Sequence, residues 1–364
     1  MPLTAALSAP SAGAPFEARL IERRELRPDD ISIDIAYAGI CHSDIHTVRE
    51  EWGEARFPLT PGHEIAGTVA AVGDAVTRFK VGDRVGVGCM VDSCGECALC
   101  RDGHENFCEA KTVWTYGDLD RDGSVTQGGY SQNIVVSERF AVTIPDGLDL
   151  DVAAPLLCAG ITVYTPLRRW GAAEGAKVAV VGLGGLGHVA VKIASAMGAE
   201  VTVLSQGLSK EADGRRFGAV DYRATSDAST FEDLRGRFDL VLSTVSADLD
   251  LGAYLSLVKP FGAFVTVGLP SNPQELPFFA IIGGDKTVAG SNIGGIALTQ
   301  EMLDFCAEHG IAAEIETIRA DAVDEAYDRV VKSDVRYRFV IDTATIEPAG
   351  AGSAVTESAG TASA

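Results

Sequence analysis

KVAVVGLGGLG, residues 177–187, is the stretch of the sequence that decides the fold. Its first residues are almost entirely apolar, which predicts a short strand buried on both faces. Gly182, Gly184 and Gly187 then follow the pattern G-x-G-x-x-G, and residues 184–197 predict a helix. Between a strand and a helix, the first glycine permits a tight turn, the second lets a pyrophosphate approach the backbone, and the third lets helix and strand pack closely. The stretch therefore predicts a dinucleotide-binding site, although the glycine pattern alone would also fit an ordinary turn.

Outward from this stretch, strand-like and helix-like segments alternate. EVTVLS (residues 200–205), DLVLSTV (239–245) and AFVTVG (263–268) predict further strands, and a helix-like segment follows the first of them. Continuous apolar strands that alternate with helices predict a parallel sheet covered on both faces. Residues 299–309 predict another helix, and YRFVID (337–342) predicts one more strand.

The first part of the chain has a different sequence pattern. β-like runs at residues 31–36, 65–71 and 84–87 are separated by glycines and turn residues at short intervals. This pattern predicts an irregular, mainly antiparallel β domain. At the other end, the sequence after residue 346 has no aromatic side chain and no large aliphatic one except Val355, so we expect residues 346–364 to be a disordered tail.

The composition restricts the possible partners and compartments. With 364 residues, of which 46% are hydrophobic and 22% charged, the chain is typical of a folded protein with two domains. A formal net charge of −21 argues against nucleic acid and against a membrane surface as partners. No apolar run reaches the roughly 18–20 residues that span a bilayer, and the N-terminus lacks the basic start of a signal peptide. We therefore expect a cytoplasmic protein.

The strongest metal signal is a group of four cysteines spaced C-x2-C-x2-C-x7-C: Cys94, Cys97, Cys100 and Cys108. A structural zinc ion takes four thiolates in a tetrahedron, and closely spaced cysteines on a loop can surround one ion. Disulfides or plain buried cysteines are the alternative, but crowding in a long cytoplasmic chain favours a metal. We predict structural zinc at these four residues, and a core position for the nearby Cys89.

A second metal signal is distributed along the chain. GICHSDIH (residues 39–46), PGHEIAG (61–67) and PLLCAG (155–160) contain Cys41, His63 and Cys158. Catalytic zinc uses three protein ligands and keeps a fourth position open, and two cysteines with one histidine form a suitable set. Any one of these residues alone would more often be structural, but their combination with the cysteine loop favours a catalytic zinc site.

The end of the second predicted strand indicates which cofactor binds. An NAD site has an acidic residue there for the ribose 2′-hydroxyl. This chain has Leu204-Ser205-Gln206-Gly207 instead, and Lys210, Arg215 and Arg216 follow. A hydroxyl and cations could hold a 2′-phosphate, so we predict NADP; an exposed helix with unrelated basic residues is the alternative reading.

Taken together, these motifs resemble those of the zinc-dependent medium-chain alcohol dehydrogenases, and more closely their cinnamyl-alcohol-dehydrogenase-like branch, which includes bacterial NADP-dependent members. The resemblance covers roughly residues 15–345. It rests on GICHSD, PGHEIAG, GCMVDSCGECALC, QGGYSQNIVV, the glycine pattern, and GSNIGG followed by EMLDFCAEH, which occur in this order. The resemblance implies an α/β protein in which a GroES-like, mainly β catalytic domain (residues 1–156 with 295–345) is joined to a Rossmann domain with a doubly wound parallel sheet (157–294), as well as a homodimer.

The resemblance also implies roles for particular residues. Cys41, His63 and Cys158 would bind catalytic zinc, Glu64 would lie beside it, and Asp44 would orient His63. Ser43 would accept the proton of the substrate and His46 would pass it towards solvent. Cofactor contacts are expected at Thr162, Gly182, Leu183, Gly184, Gly185, Leu186, Gly187, Ser205, Lys210, Ser291, Asn292 and Ile293.

The expected activity is the interconversion of primary alcohols and aldehydes, with aromatic or medium-chain substrates and two zinc ions per chain. With NADPH as the cofactor, aldehyde reduction is the expected direction. Two other readings remain open at this point. One is a zinc dehydrogenase of polyols or formaldehyde adducts, and the other is a catalytically idle protein that binds zinc and a nucleotide.

Overall fold

The computed structural model describes residues 2–270 and 272–348. The first part of the chain forms short strands and helices, and each of the three predicted β-like runs lies in a strand. The elements are β1 (Leu3–Ser8), β2 (Glu17–Glu22), β3 (Asp30–Gly39), α1 (His42–Val48), β4 (Ile65–Val72), β5 (Arg84–Val87), β6 (Met90–Asp92), α2 (Ala98–Arg101), β7 (Val113–Trp114), β8 (Asn133–Ser137), β9 (Ala141–Thr143), α3 (Leu150–Ala153) and α4 (Ala159–Arg169).

Strands and helices alternate after residue 177, as the sequence predicts. The elements are β10 (Lys177–Val181), α5 (Gly187–Ala196), β11 (Glu200–Ser205), α6 (Glu211–Arg216), β12 (Asp221–Ala224), α7 (Ser229–Asp233), β13 (Phe238–Ser243), α8 (Leu251–Leu257), β14 (Val258–Thr266), α9 (Phe278–Ile282), β15 (Thr287–Gly290), α10 (Ile296–Glu308), β16 (Ile315–Ile318), α11 (Val323–Val331) and β17 (Arg338–Asp342). The helix predicted at 184–197 begins later, at Gly187, because residues 184–186 form the loop between strand and helix.

Strands β10 to β15 form a parallel sheet in the order β12-β11-β10-β13-β14-β15. In units of chain order this is 3-2-1-4-5-6, the arrangement of a Rossmann sheet. Alternate residues of the central strand β10 enter different cores: Val178 and Val180 lie in one, Ala179 and Val181 in the other. Both faces of the sheet are therefore covered, and the predicted doubly wound fold is confirmed.

The other large sheet is mixed and contains residues from both ends of the described chain. Its strands follow the order β16-β17-β3-β4-β5-β9, and β8 also pairs with β3. Strand β17 runs antiparallel to β3, with Val340 opposite Gly39. After the Rossmann sheet, the chain thus returns to the mixed sheet. There β17 lies next to the end of β3, which precedes α1.

Glu314, just before β16, joins this sheet to the Rossmann part. Its backbone N–H donates to Nε2 of His188 on α5 over 3.1 Å, and its carboxylate pairs with Lys192 at 2.6 Å and with Arg216 at 3.2 Å. Burial lowers the pKa of His188 to about 3, so the ring is neutral. Its Nδ1 lies 3.1 Å from the carbonyl oxygen of Gly184. A single neutral imidazole therefore connects the glycine loop with the mixed sheet.

Two predictions about the chain as a whole concern membrane spans and the C-terminal tail. Within the described residues no single helix is long and apolar enough to cross a membrane; the pair Leu150–Leu157 and Ala159–Arg169 reaches that length only across a 56° bend. Of the tail predicted at 346–364, residues 349–364 lie outside the described residues. Ile346 does not fit that prediction, because its side chain is buried against the mixed sheet.

Candidate active site

The first site residues lie at the start of α1, directly after β3. Cys41 is the N-cap residue, and its backbone N–H donates to the carboxylate of Asp44 over 2.9 Å. A side chain at the third helical position that accepts this N–H is a capping-box contact, which defines where the helix begins. Ile45 and Val48 are buried in the core below α1. Capping and packing together place the Cys41 thiol in the interior.

Two further segments reach the same point. His63 and Glu64 lie immediately before β4, and Cys158 lies immediately before α4. Gly62 adopts a φ of +104°, which L side chains rarely adopt, and a Cβ there would overlap the ring of Tyr130. The first glycine of PGHEIAG, Gly62, therefore permits the turn that places His63 beside the other ligands.

Cys41, His63, Glu64 and Cys158 each contribute a ligand atom, and these atoms all lie within 4.8 Å of one another. The two thiol sulfurs are 3.9 Å apart, and Nε2 of His63 is 3.2 Å from Sγ of Cys158. Zn–S bonds of about 2.3 Å in a tetrahedron put two sulfurs about 3.8 Å apart. All four residues are buried. We call Cys41, His63 and Cys158 the Cys–His group; their donor chemistry and spacing fit zinc.

Asp44 orients this group through a fully used carboxylate. One oxygen lies 3.0 Å from Nδ1 of His63 and accepts the Gly62 N–H at 3.3 Å; the other accepts the Cys41 N–H and, at 3.2 Å, the Tyr130 hydroxyl. Burial raises the pKa of Tyr130 well above its ordinary value, so its hydroxyl remains a donor. An imidazole bonded to a carboxylate through one nitrogen presents the other to a metal.

Glu64 is buried beside the ligands and pairs with Arg338 of β17. Burial raises the pKa of Glu64 to about 7, although the Arg338 guanidinium opposes this shift. The second carboxylate oxygen of Glu64 has no hydrogen-bond partner within the described residues. A Cβ at Gly185 of the glycine loop would lie 2.9 Å from Nη1 of Arg338. Arg338 therefore lies between the Cys–His group and the glycine loop.

The four clustered cysteines form a second candidate metal centre. One ligand atom from each of Cys94, Cys97, Cys100 and Cys108 lies within 4.8 Å of the others, and all cysteines of the chain are free thiols. Backbone N–H groups point at the sulfurs, from Cys97 to Cys94 at 3.3 Å and from Lys111 to Cys108 at 3.4 Å. Such donors outweigh the effect of burial and lower the pKa of Cys108 to about 6. Burial, in contrast, raises the pKa of Cys100 to about 12, so the fit to a closed structural zinc site rests on the four sulfurs and their spacing.

The glycine loop has the geometry that a bound pyrophosphate requires. Gly182 turns with a φ of +89°, and a Cβ at Gly187 would overlap the Gly182 carbonyl oxygen. Gly184 has nothing within 4 Å of its Cβ position, so its backbone is open to a ligand. The open N-terminus of α5 follows, where free N–H groups attract phosphate. Leu183 and Leu186 fill the positions between the glycines and pack against the core.

The residues predicted to select NADP lie after the carboxyl end of β11. Ser205 ends that strand, and Lys210 precedes α6 with its Nζ 3.0 Å from the carbonyl oxygen of Leu183. Arg215 and Arg216 instead pair with Glu211 and Asp213. Lys210 is therefore the predicted cation that reaches the glycine loop, whereas the two arginines form ion pairs of their own.

Residues 291–293 and Thr162 approach the Cys–His group from the Rossmann side. The Ser291 N–H donates to the carbonyl oxygen of Thr266 at the carboxyl end of β14, and Asn292 and Ile293 follow. Ile293 lines a small cavity with Cys89 and Leu157, the residue before Cys158. The N–H of Thr162 donates to the carbonyl oxygen of Cys158 over 3.0 Å. The segment 291–293 thus runs from the carboxyl edge of the parallel sheet to the wall beside the Cys–His group.

Ser43 and His46 both lie on α1 but have different neighbours. Oγ of Ser43 is 3.6 Å from Sγ of Cys41. His46 stacks on Trp52 with ring centroids 4.7 Å apart, and its Nδ1 pairs with Glu51, which is partly exposed. The helix therefore has one hydroxyl beside the ligands and one imidazole that reaches the surface.

Sequence reasoning missed three residues around the site: Tyr130, Arg338 and Glu51. Tyr130 and Arg338 are far in sequence from Asp44 and Glu64, so no spacing indicates the contact. Glu51 lies five residues after His46, a local signal that could have been noticed. Cys89 packs on the core as predicted, but its thiol also lies within hydrogen-bonding reach of Cys158, which lowers the pKa of Cys89.

A Rossmann sheet whose phosphate loop faces a buried Cys–His group defines a metal-dependent dehydrogenase. Residues 27–146 match the model of the alcohol dehydrogenase GroES-like domain, and residues 185–308 match that of the zinc-binding dehydrogenases. NADP-dependent alcohol dehydrogenase C 1 of Mycolicibacterium smegmatis is 60% identical over 95% of this chain and 99% of its own length. A "Probable formaldehyde dehydrogenase" of Bacillus subtilis is 58% identical over 94% of this chain and 98% of its own length.

Among solved structures, a cinnamyl alcohol dehydrogenase from Sorghum bicolor superposes with a TM-score of 0.91 and 45% identity, covering 94% of this chain and 98% of its own. The chain therefore belongs to the zinc-binding alcohol dehydrogenases with a GroES-like domain. The predicted pairing of a GroES-like domain with a Rossmann domain, and the prediction of an alcohol dehydrogenase, are confirmed.

We predict that Tyr130→Phe weakens metal binding at the Cys–His group and leaves the four-cysteine site unchanged. The variant removes one of the four donors to Asp44, and loss of such outer contacts typically costs about 10–100-fold in metal affinity or activity. Competition with a colorimetric zinc chelator would show one of the two zinc ions released about tenfold more easily. Tyr254→Phe, which removes a buried hydroxyl within the Rossmann part, is the control. Equal zinc retention in both variants would contradict the role of Tyr130.

Proposed function

We propose that the protein reduces aldehydes to primary alcohols, and catalyses the reverse reaction, with NADP(H) and zinc. The observation that carries the proposal is the convergence of Cys41, His63 and Cys158 near the glycine loop, with Arg338 between them, in a chain whose second Rossmann strand ends in Ser205 rather than in an acid. The Cys–His group would hold the catalytic zinc and the four-cysteine loop a structural one. The relative named as NADP-dependent supports the choice of cofactor.

When bound, zinc supplies Lewis acidity to the oxygen of the substrate, and the nicotinamide supplies or accepts the hydride. The residues of the chain hold these reactants in position. Asp44 keeps His63 oriented, and the glycine loop with α5 receives the pyrophosphate. Ser205 and Lys210 bind the 2′-phosphate, while Thr162 and residues 291–293 contact the nicotinamide half. Glu64 holds Arg338 through its ion pair.

Proton transfer follows α1 towards the surface. Ser43, next to Cys41, accepts the proton of an alcohol or donates one to the reduced aldehyde. His46 exchanges that proton with solvent, and Glu51 bonds to Nδ1 of His46 and so leaves Nε2 for the transfer. The pairing of His46 with Glu51 supports this direction of transfer.

Three further proposals concern the organisation of the protein. The strands of the mixed sheet lie at 30–143 and 315–342 and those of the Rossmann sheet at 177–290, which supports domain boundaries of 1–156 with 295–345 and of 157–294. The free thiols are consistent with a cytoplasmic protein. Exposed apolar side chains on α9, next to the edge strand β15, support a homodimer.

The decisive assay compares initial rates of cinnamaldehyde and benzaldehyde reduction with NADPH and NADH, on protein analysed for zinc. We expect about two zinc ions per chain and faster turnover with NADPH. Cys41→Ser should lower kcat/KM by about 10³-fold because Lewis-acid activation contributes several kcal/mol. Cys306→Ala, a buried cysteine outside both metal centres, is the control.

Each other outcome of that assay supports a different function. Turnover confined to formaldehyde with a thiol would favour the formaldehyde-adduct dehydrogenase, to which the Bacillus relative points, and turnover confined to polyols would favour a polyol dehydrogenase. Full zinc content without turnover of any of these substrates would favour a catalytically idle protein that binds zinc and a nucleotide. Faster rates with NADH would contradict the cofactor assignment but not the zinc chemistry.

We predict that Ser205→Asp exchanges the cofactor preference. A carboxylate at the end of β11 repels a 2′-phosphate and accepts a hydrogen bond from a ribose 2′-hydroxyl. KM for NADPH should rise by about tenfold or more, since one close like-charge contact near the surface costs more than 1.4 kcal/mol, and KM for NADH should fall. Ser229→Asp adds the same charge on α7 and should alter neither value. An unchanged preference in S205D would place the 2′-phosphate elsewhere.

We predict that Phe279→Asp converts a dimer into a monomer. Phe279 is 87% exposed on α9, together with Phe278 and Ile282. A charge at the centre of this apolar patch would have to be desolvated in an interface, which is costly. Light scattering after gel filtration would measure the mass, with Val81→Asp, 61% exposed outside the patch, as the control. A monomeric wild-type protein would contradict the dimer.

A further inference from the structure

The four-cysteine loop contacts the segment that leads from the Rossmann sheet to the active site. Between Cys100 and Cys108 the chain forms a short tip that includes a turn of 3-10 helix at Glu105–Phe107. The Nδ2 of Asn106 donates to the carbonyl oxygen of Asn292 over 2.9 Å. A carboxylate oxygen of Glu105 accepts the backbone N–H of Ile296, the first residue of α10, over 3.1 Å. Two neighbouring side chains of the loop thus bind both ends of residues 292–296.

This contact is close and buried. Asn106 is 5% exposed, and its Oδ1 has no hydrogen-bond partner in the described part of the chain. A Cβ at Gly295 would overlap the carbonyl oxygen of Gly103, so backbone lies against backbone. Burying an amide with only part of its hydrogen-bonding capacity used costs free energy. An apolar side chain would pack here at a lower cost in free energy. The buried amide at Asn106 therefore points to a role for its hydrogen bond in holding Asn292.

The segment that Asn106 holds has a strained backbone. Ile293 adopts a φ of +39°, a left-handed conformation that is a clear outlier for a β-branched residue. Such strain persists only where the surrounding structure imposes it. The hydrogen bond to the carbonyl oxygen of Asn292 acts on the peptide group that joins Asn292 to Ile293. It therefore restrains the residue whose side chain lines the cavity shared with Cys89 and Leu157.

We propose that Asn106, with Glu105, is a positioning residue of the active site, and that the four-cysteine loop serves to hold residues 291–293 in place for the nicotinamide half of the cofactor. The proposal rests on the proposed function for the identity of that ligand. The tip begins at Cys100 and ends at Cys108, and both are cysteines of the metal centre. That centre therefore fixes the separation of the two ends of the tip. The adenosine half would bind at Ser205 and Lys210, beside the glycine loop, and so serves as an internal reference for the test.

The test uses Asn106→Leu, which keeps the branched shape of the side chain and removes the donor, and Gly295→Ala, which separates the two backbones. His104→Leu, on the exposed side of the same tip, is the control. Hydrogen exchange of peptides that cover residues 290–297 should become faster in N106L and G295A and stay unchanged in H104L. Asn106→Ser replaces N106L if the leucine variant does not fold.

Binding and kinetics complete the test. We expect kcat/KM for NADPH to fall about tenfold in N106L, the equivalent of one lost hydrogen bond to a strained peptide. The dissociation constant of 2′,5′-ADP, a probe of the adenosine half, should not change, whereas general destabilisation would weaken both. Unchanged exchange at 290–297 overturns the inference, and so does a kcat/KM within twofold of the wild type. If the wild-type protein turns over no substrate, the proposed function fails separately, and the exchange data still decide whether Asn106 positions the segment.

Discussion

The active site depends on one buried carboxylate, that of Asp44, which has no exposed surface and accepts hydrogen bonds from Cys41, Gly62, His63 and Tyr130. These donors come from three separate segments of the chain, so the carboxylate joins the start of α1, the turn before β4 and the strand region near β8. Buried polar oxygens are stable only when they are satisfied in this way. Because the same residue caps α1 and orients the imidazole, the fold of the helix and the geometry of the Cys–His group are inseparable.

The mixed sheet and the Rossmann sheet each supply half of the site. The mixed sheet positions Cys41 after β3 and His63 before β4, the segment before α4 adds Cys158, and the glycine loop follows the carboxyl end of β10. Ligands of doubly wound sheets bind at the carboxyl edge of the strands. Arg338, on β17, touches both halves: it pairs with Glu64, and its side chain lies against Gly185 of the glycine loop. A cation at this point is consistent with an anionic cofactor that must lie close to a metal.

The sequence indicates the parts of the site that depend on local pattern. Three features can be recognised from the sequence because each lies in one continuous stretch: the glycine loop, the four-cysteine group and the absence of an acid after β11. The grouping of Cys41, His63 and Cys158 followed only from the combined motifs, since the three residues are distant in sequence. Tyr130 and Arg338 reach the site through sheet pairings that no local pattern encodes. The start of α5 was placed too early because the glycine loop has the same apolar composition as the helix it precedes.

The contacts of Glu314 give the junction between the two halves a mixed character. Lys192 and Arg216 hold it by charge, whereas the neutral His188 holds its backbone by an ordinary hydrogen bond. Partly exposed ion pairs weaken as salt screens them, but a buried neutral contact does not respond to ionic strength. Salt therefore loosens one side of this junction and leaves the other intact. The two halves of the enzyme are thus coupled by ion pairs that respond to ionic strength and by a buried hydrogen bond that does not. A rise in salt weakens their association, while His188 keeps its contact with the glycine loop.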